Sequence, residues 1–397
     1  MNDKDLGGLI EEIKHGRISR RQFMERALVM GLSVGGVAAV LAACGSSAGS
    51  SATSASPTLP AMGTGGDTLH LYNWSDYINP DTKTNFTKAT GIKVVETYFD
   101  DNEALRSKLQ AGARGYDVIV PSDYMVHILL KSGLLEPLDL SAIPNFAANV
   151  AEKFKKPVYD NPDQNGGMKY SVPYQWGQTG IAQRLDKIPT PLTKWADLWN
   201  PAYKNNIYML NDERETMGVG LMKVTGDPKS INSTDQNQIN AAVQQLIAQK
   251  PLIRGYDSVN MKRNIVAGVP LVHAWNGDII LAVNSGLDPK KATLIAPEEG
   301  IPMFVDNLAV PVGAPNRKGA HMFLNYVLDV KAGATNTAWV GYYSPLTGAE
   351  ALVNKIDPNV YRYVPSQQMI NDKGAFYDDL GAFAETYTNA WQQVKSA

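Results

Sequence analysis

The chain has 397 residues, 44% of them hydrophobic and 19% charged, and a formal net charge of −2. That length exceeds one ordinary hydrophobic core, so a large two-lobed unit or two domains is expected. The near-neutral balance, without a Lys/Arg run or a basic amphipathic helix, argues against nucleic acid as a partner. The single cysteine, Cys44, excludes an intramolecular disulfide.

The N-terminus reads SRRQFMERALVMGLSVGGVAAVLAACGSS. Arg20 and Arg21, with Phe23 two residues on, resemble a twin-arginine export signal, an address rather than an anchor. Residues 27–43 are apolar but short and diluted by glycine, which suits a signal peptide better than a spanning helix. LAAC before Gly45 resembles a bacterial lipoprotein cleavage box, in which Cys44 would be lipidated and become the first mature residue. A plain membrane anchor with an incidental cysteine is the alternative. Residues 1–44 are therefore expected to be a twin-arginine-type lipoprotein signal peptide. Residues 45–66, an uncharged Ser/Gly/Ala/Pro tract, are expected to be a flexible tether. The working protein then starts near Asp67.

From there short β-rich runs alternate with helical stretches. TLHLY is a strand, DTKTNFTKAT a helix closed by Gly91, and IKVVETYF the next strand. DDNEALRSKLQAG has an Asp cap, Glu103 in its first turn and Gly112 at its end. YDVIV is a buried strand, and SDYMVHILLKSG a helix capped by Ser122 or Asp123. This rhythm predicts a parallel sheet covered by helices, with ligands at the carboxyl ends of its strands. YNWSDY (72–77) and PSDY (121–124) both lie there. Further along, GIAQRL, NIYML, PLIRGY, VPLVHAW, TLIAP and FVDNLAVP read as strands. Helical stretches are expected around 194–199, 214–224 and 235–249, then at 318–330 and 376–394. That is too many strands for one sheet, and no long linker separates halves, so two α/β lobes joined by several crossings fit best.

G-x-S-x-G occurs around Ser33 and Ser47, in signal and tether, outside the strand–turn–helix context a nucleophile needs. No H-E-x-x-H, P-loop or C-x-x-C is present, and no two histidines stand at metal-ligand spacing. No metal, cofactor or enzymatic chemistry is therefore expected. His70 and His273 sit in strand-like runs and read as core or sheet-face residues. What remains is a scatter of aromatics and carboxylates at strand ends: Trp74, Ser75, Asp76 and Tyr77; Ser122 and Tyr124; Asp212 and Glu215; Trp275 and Asp278; Phe304 and Asp306; Tyr342 and Tyr343. Singly, each has a structural explanation; Asp212 and Glu215, for example, suit the dipole of a helix start. Together they suit an aliphatic di- or triamine. Aromatic faces attract cations, carboxylates grip ammonium groups, and rings pack along methylenes.

The chain from about Asp67 onward resembles the spermidine/putrescine-binding proteins of bacterial ABC importers. The likeness lies in whole strings: LYNWSDYI, FTKATGIKV, YDVIVPSDY, VPYQWGQTGI, WADLWNPAYK, NDERETM, WNGD, PEEG and DNLAVP. WADLWNPAYK reads as a packing and turn element. The resemblance implies a two-lobed periplasmic-binding-protein-like α/β fold with a hinge and a central cleft. It implies Trp74, Tyr77, Tyr124, Trp275 and Tyr342 as aromatic walls and Ser75 and Asp76 as polar contacts. Asp212, Glu215 and Asp306 would hold ammonium groups, with Asp278 as a further candidate. Two departures concern ligand length: Phe304 stands where spermidine-preferring relatives often have a second Trp, and Tyr377 stands where a Gln can contact ligand.

Lobe 1 is expected to comprise 67–175 and 278–314, and lobe 2 to comprise 176–277 and 315–397. Hinge crossings are placed near 174–177, 275–278 and 310–315. Lobe 1 would supply Trp74, Tyr77, Tyr124 and Asp306, and lobe 2 Asp212, Glu215 and Tyr342. The implied partners are a polyamine and an ABC permease, with the membrane reached only through the lipid on a monomeric protein. The rivals are a ferric-ion carrier using Tyr342 and Tyr343 as paired phenolates, a carrier of a thiamine-like cation, and an amino-acid carrier using Arg214.

Overall fold

The computed structural model describes residues 59–397. The signal peptide, Cys44, both G-x-S-x-G matches and the first part of the tether lie outside the described residues. The last part of the tether is anchored: the Pro60 carbonyl accepts from Arg317 at 2.8 Å and the Gly66 carbonyl from Asn316 at 3.1 Å. Among the described residues no helix is long and apolar enough to cross a membrane.

Strands β1 (Thr68–Asn73), β2 (Lys93–Tyr98) and β3 (Val118–Ile119) run parallel, with β1 in the middle. Of the expected caps, Gly91 and the Asp before the second helix are in place, whereas Ser122 precedes the third without a side-chain capping bond. Asn79 accepts from the Asp81 amide at 2.9 Å, Pro80 opens helix Pro80–Thr90, and Gly91 closes it at φ 77. Asp101 caps helix Asn102–Gln110 through the Ala104 amide at 2.6 Å. Ser122 precedes helix Asp123–Lys131.

Strand β4 (Ser171–Arg184) is the structural pivot. Only its second half, GIAQRL, is legible as a strand. Its first half pairs antiparallel with β9 (Ile301–Ala309), across an irregularity at Pro173, which has no amide proton to donate. Its second half pairs with β7 (Leu271–Trp275) and β8 (Ala292–Ile295). Strands β5 (Ile207–Met209) and β6 (Gly255–Tyr256) continue from β7, and β10 (Gly374–Phe376) pairs with β9 at residues 301–303. The strands therefore form one hydrogen-bonded path, β2-β1-β3-β9-β4-β7-β5-β6, not two separate sheets. The count is not too large for one sheet because β4 serves both halves.

Three expectations about the chain's route change. Helix Asn276–Asn284 packs on β4, β7 and β8, so 278–300 stays with the β7 half and the chain does not cross at 275–278. Helices Arg317–Val327 and Val330–Val340 pack on helix Pro80–Thr90, beside β1, so the chain does not change sides at 310–315. It returns only near 364–374, where β10 joins β9 and helix Ala384–Ser396 packs on helices Glu213–Thr225 and Gln236–Gln249. The helix expected over 376–394 is thus a strand end, a loop and a shorter helix. The one expected over 318–330 ends at Val327, where Asp329 caps the next helix through the Ala332 amide at 2.9 Å.

Candidate ligand-binding site

β1 ends where the YNWSDY loop begins. Asp76 takes φ 56, a left-handed conformation that Asp tolerates better than most residues. Before it, Trp74 donates its indole N–H to the Val120 carbonyl at 2.9 Å and lies 4.5 Å from the Phe99 ring. After it, Tyr77 turns inward and is buried. Its hydroxyl donates to Asp306 Oδ2 at 2.6 Å, and its carbonyl accepts from the Tyr174 hydroxyl at 2.6 Å. Ser122 donates to the other Asp306 oxygen at 2.6 Å while accepting from Asn102 at 3.0 Å. Asp306, buried in β9, is thus held by two hydroxyls and no protein cation. Burial pushes its carboxyl up to about 6 against the pull of the Ser122 and Tyr77 bonds.

The opposite wall starts at helix Glu213–Thr225. Asp212 caps it by accepting from the Glu215 amide at 3.0 Å, which confirms the structural role that its position suggested. Glu215 is buried beside it. Oε1 accepts from Thr179 at 2.9 Å and from the Trp275 indole at 3.1 Å; Oε2 accepts from Tyr377 at 2.9 Å. Burial raises both carboxyls; Asp212 raises Glu215 further, and the three donors oppose that. Behind them His273 Nε2 stands 4.0 Å from Glu215, but burial lowers the imidazole to about 3, so it is neutral at pH 7. Asp278, in the first turn after β7, accepts from the Trp275 amide at 3.2 Å, and burial pushes it up to about 7.

Rings line the space between these acids. Tyr342 meets the edge of Tyr77 at 5.1 Å and of Phe304 at 5.8 Å; Tyr124 meets Tyr377 at 6.1 Å. Gly277 makes the approach of Tyr342 possible, since a Cβ there would overlap the ring. Tyr343 goes the other way: fully buried, it packs on Trp176 at 4.8 Å and stacks on Tyr361 at 5.5 Å. Adjacent residues in a strand-like segment face opposite sides, so the paired phenolates of the iron reading do not converge. Among the described residues no cluster of three or more His, Cys, Asp or Glu is placed to hold a metal.

The structure brings Trp74, Ser75, Asp76, Tyr77, Ser122, Tyr124, Asp212, Glu215, Trp275, Asp278, Phe304, Asp306, Tyr342 and Tyr377 to the wall of one cavity of about 150 Å³. Ser75 and Asp76 are exposed at its mouth. The wall also holds residues not singled out as ligand contacts, among them Phe99, Asn102 and Lys262, and Arg214, which only the amino-acid-carrier reading names. Phe99 and Asn102 are legible in FDDN only as a strand end and a helix start. Lys262 lies in a helix with no visible signature. Six wall carboxyl groups face two wall cations, an excess of four acids in a partly desolvated space, several of which burial holds partly protonated until a cation arrives. Such a cavity repels anions and suits an elongated polycation with an apolar middle. WADLWNPAYK and PEEG lie elsewhere and support the fold: Glu299 accepts from the Trp195 and Ala196 amides at 3.0 Å, and the buried Trp195 indole donates to Gly300 at 2.9 Å.

A two-part sheet joined through β4 and β9, with a charged and aromatic cavity beside the joining strands, is the arrangement of a two-lobed solute-binding protein. The family model for bacterial extracellular solute-binding proteins matches residues 82–364. The chain belongs to that family, in its spermidine/putrescine-binding group. It is 34% identical to the spermidine/putrescine-binding periplasmic protein of Salmonella typhimurium, over 83% of this chain and 92% of the relative. It is 33% identical to the putrescine-binding periplasmic protein PotF of Escherichia coli, over 74% and 83%. Among solved structures it resembles the spermidine/putrescine ABC transporter substrate-binding protein PotD of Streptococcus pneumoniae. That match has a TM-score of 0.67 and 28% identity, covering 83% of this chain and 99% of that one.

Proposed function

We propose that this protein captures a polyamine, putrescine or spermidine, and delivers it to an ABC import permease. The observation that carries the reading is the placing of two buried carboxylates, Asp306 and Glu215, on one aromatic-walled cavity without a basic side chain bonded to either. An ammonium group brought to each would supply the missing counter-charge, and the rings would cover the methylenes between. The relatives' names point to the same ligands.

Capture involves no bond making. β4, β9 and the 364–374 segment act as the hinge. On one side stand Trp74, Tyr77, Ser122 and Tyr124; on the other, Asp212, Glu215, Trp275, Asp278 and Tyr377; Asp306 and Phe304 lie on the hinge strand β9. Ligand bridging both sides favours the closed form by its differential contacts. Cys44 carries the lipid that keeps the protein on the outer face of the cytoplasmic membrane, after export through the Arg20–Arg21 signal.

A thermal-shift panel of putrescine, spermidine, spermine, arginine, thiamine and ferric citrate tests the ligand class. Stabilisation by polyamines alone supports it; stabilisation only by arginine, thiamine or iron overturns it. Cys44→Ser is expected to abolish incorporation of labelled fatty acid into the protein; labelling that persists in the variant would refute the lipid anchor at Cys44.

A further inference from the structure

We propose that His273 is a positioning residue for Glu215: its Nε2–H is the donor that the carboxylate takes up on ionising, which keeps this acid ready for an ammonium group at neutral pH. This rests on the polyamine reading and deepens it by naming a residue behind the cavity wall that sets when the site can bind.

His273 lies in β7 with no exposed surface and does not itself line the cavity. Its ring meets the edge of Trp195 at 5.1 Å. A leucine would pack there without bringing two ring nitrogens into the core, and buried polar atoms are costly unless they are hydrogen-bonded. The Leu210 amide, which can only donate, lies 3.4 Å from Nδ1. Nδ1 is therefore the acceptor, and the ring proton sits on Nε2. Burial alone lowers the imidazole to about 3, so the ring stays neutral. Its Nε2–H is then a buried donor without a partner. It stands 4.0 Å from Glu215 Oε2, just beyond hydrogen-bond length.

Glu215 has room for this donor. Oε1 already accepts from Thr179 and Trp275, whereas Oε2 accepts only from Tyr377 and keeps a lone pair. Burial and the Asp212 charge raise Glu215 to about 7, so near neutrality it is divided between acid and carboxylate. A protonated Glu215 offers an ammonium group no charge. The ionised form gains from one more donor, and a movement of about 1 Å brings Nε2 within reach. The other titratable groups facing Glu215 do not supply that help. Asp212, from the cap of its own helix, opposes ionisation; Tyr342, from the segment after helix Val330–Val340, is a phenol that burial keeps neutral. Tyr377, from the chain after β10, has already given its proton to Oε2 as a hydrogen bond.

The test is calorimetric titration with putrescine and with spermidine, from about pH 6 to about pH 8.5, for the wild type, His273→Leu and His273→Gln. Leucine removes the donor; glutamine returns an N–H close to the Nε2 position. Asp306 and Asp278 shape the pH profile of all three proteins alike. Without the donor, Glu215 should hold its proton to higher pH. Affinity of His273→Leu at about pH 7 should therefore fall by about tenfold and recover toward the wild-type value by about pH 8.5. His273→Gln should keep the wild-type profile. A loss equal at every pH, an unmoved profile, or a glutamine variant that behaves as the leucine one does overturns the inference and leaves polyamine capture standing. Nitrogen-15 NMR of the wild-type histidine rings needs no substitution and decides the matter if the variants do not fold. It should find the His273 proton on Nε2 and a downfield shift of that proton when putrescine is added at neutral pH. A proton on Nδ1, or an Nε2–H signal indifferent to the ligand, overturns the inference. Absence of binding by either polyamine to the folded wild type would overturn the polyamine reading, and this inference with it.

Discussion

Tyr77 and Asp306 stand 229 residues apart in sequence, yet the phenol donates to the carboxylate at 2.6 Å. The bond ties the loop after β1 to the hinge strand β9. It also fixes which carboxylate oxygen lone pairs stay open. Asp306→Asn keeps the shape but removes the charge, and should weaken putrescine binding by about a hundredfold, the scale of a lost charged hydrogen bond in a desolvated site. Tyr77→Phe should cost less, about tenfold, because Ser122 still orients the carboxylate. Competition binding with a labelled diamine would rank the two; equal, negligible losses would remove Asp306 from the site.

The pH dependence follows from two buried acids. Asp306 is raised to about 6 and Asp278 to about 7, both above the unfolded value. A raised carboxyl binds its proton more tightly when folded. Its stabilising contribution to the ligand-free protein is therefore present at low pH and lost as pH rises through 6 to 7. A bound ammonium favours the ionised form, so binding should weaken as pH falls through that range and should release protons within it. Titrations in two buffers of different ionisation enthalpy count those protons. Uptake instead of release would contradict the arrangement.

Gly277 tests the packing of Tyr342. Alanine suits a helix better than glycine by about 1 kcal/mol, so Gly277→Ala should leave stability within about that amount. The added methyl would push the Tyr342 ring, and ligand affinity should fall with little change in melting temperature. A variant that binds normally would mean that the Tyr342 position is not demanding.

Away from the cavity, Lys169 and Asp160 form a fully buried ion pair at 3.0 Å. Asp160 also accepts from the Ser171 amide at 2.9 Å and hydroxyl at 2.7 Å, and so fixes the start of β4. Lys169→Met leaves that carboxylate buried with no cation and should destabilise folding by about 3 kcal/mol or more. Urea denaturation would measure it; a loss under about 1 kcal/mol would mean that the backbone donors suffice.

Much of this was legible in the sequence where local chemistry decides. Gly91 marks the end of a helix by capping alone, and YNWSDY and NDERE mark strand-end acids and rings. The first half of β4 was not legible. Its Pro173, Gln175 and Gln178 break any alternation, and it is a strand because both of its faces are buried at the junction. The route of the chain between halves was hidden for a related reason: β4 and β9 each belong to both. The helix expected over 376–394 starts too early: Gly381 at φ 54 interrupts it, and β9 takes Phe376 as the end of a strand. Arg214 was visible, but the rings packed on it, Tyr124, Tyr377 and Tyr387, come from two distant parts of the chain.

The most direct measurement is calorimetry of ligand-free protein with putrescine at neutral pH, with arginine and ferric citrate as controls. The account predicts one saturable site for the diamine, weakened by Asp306→Asn, and no heat of binding from the controls. A folded, ligand-free protein that ignores putrescine and spermidine would contradict it.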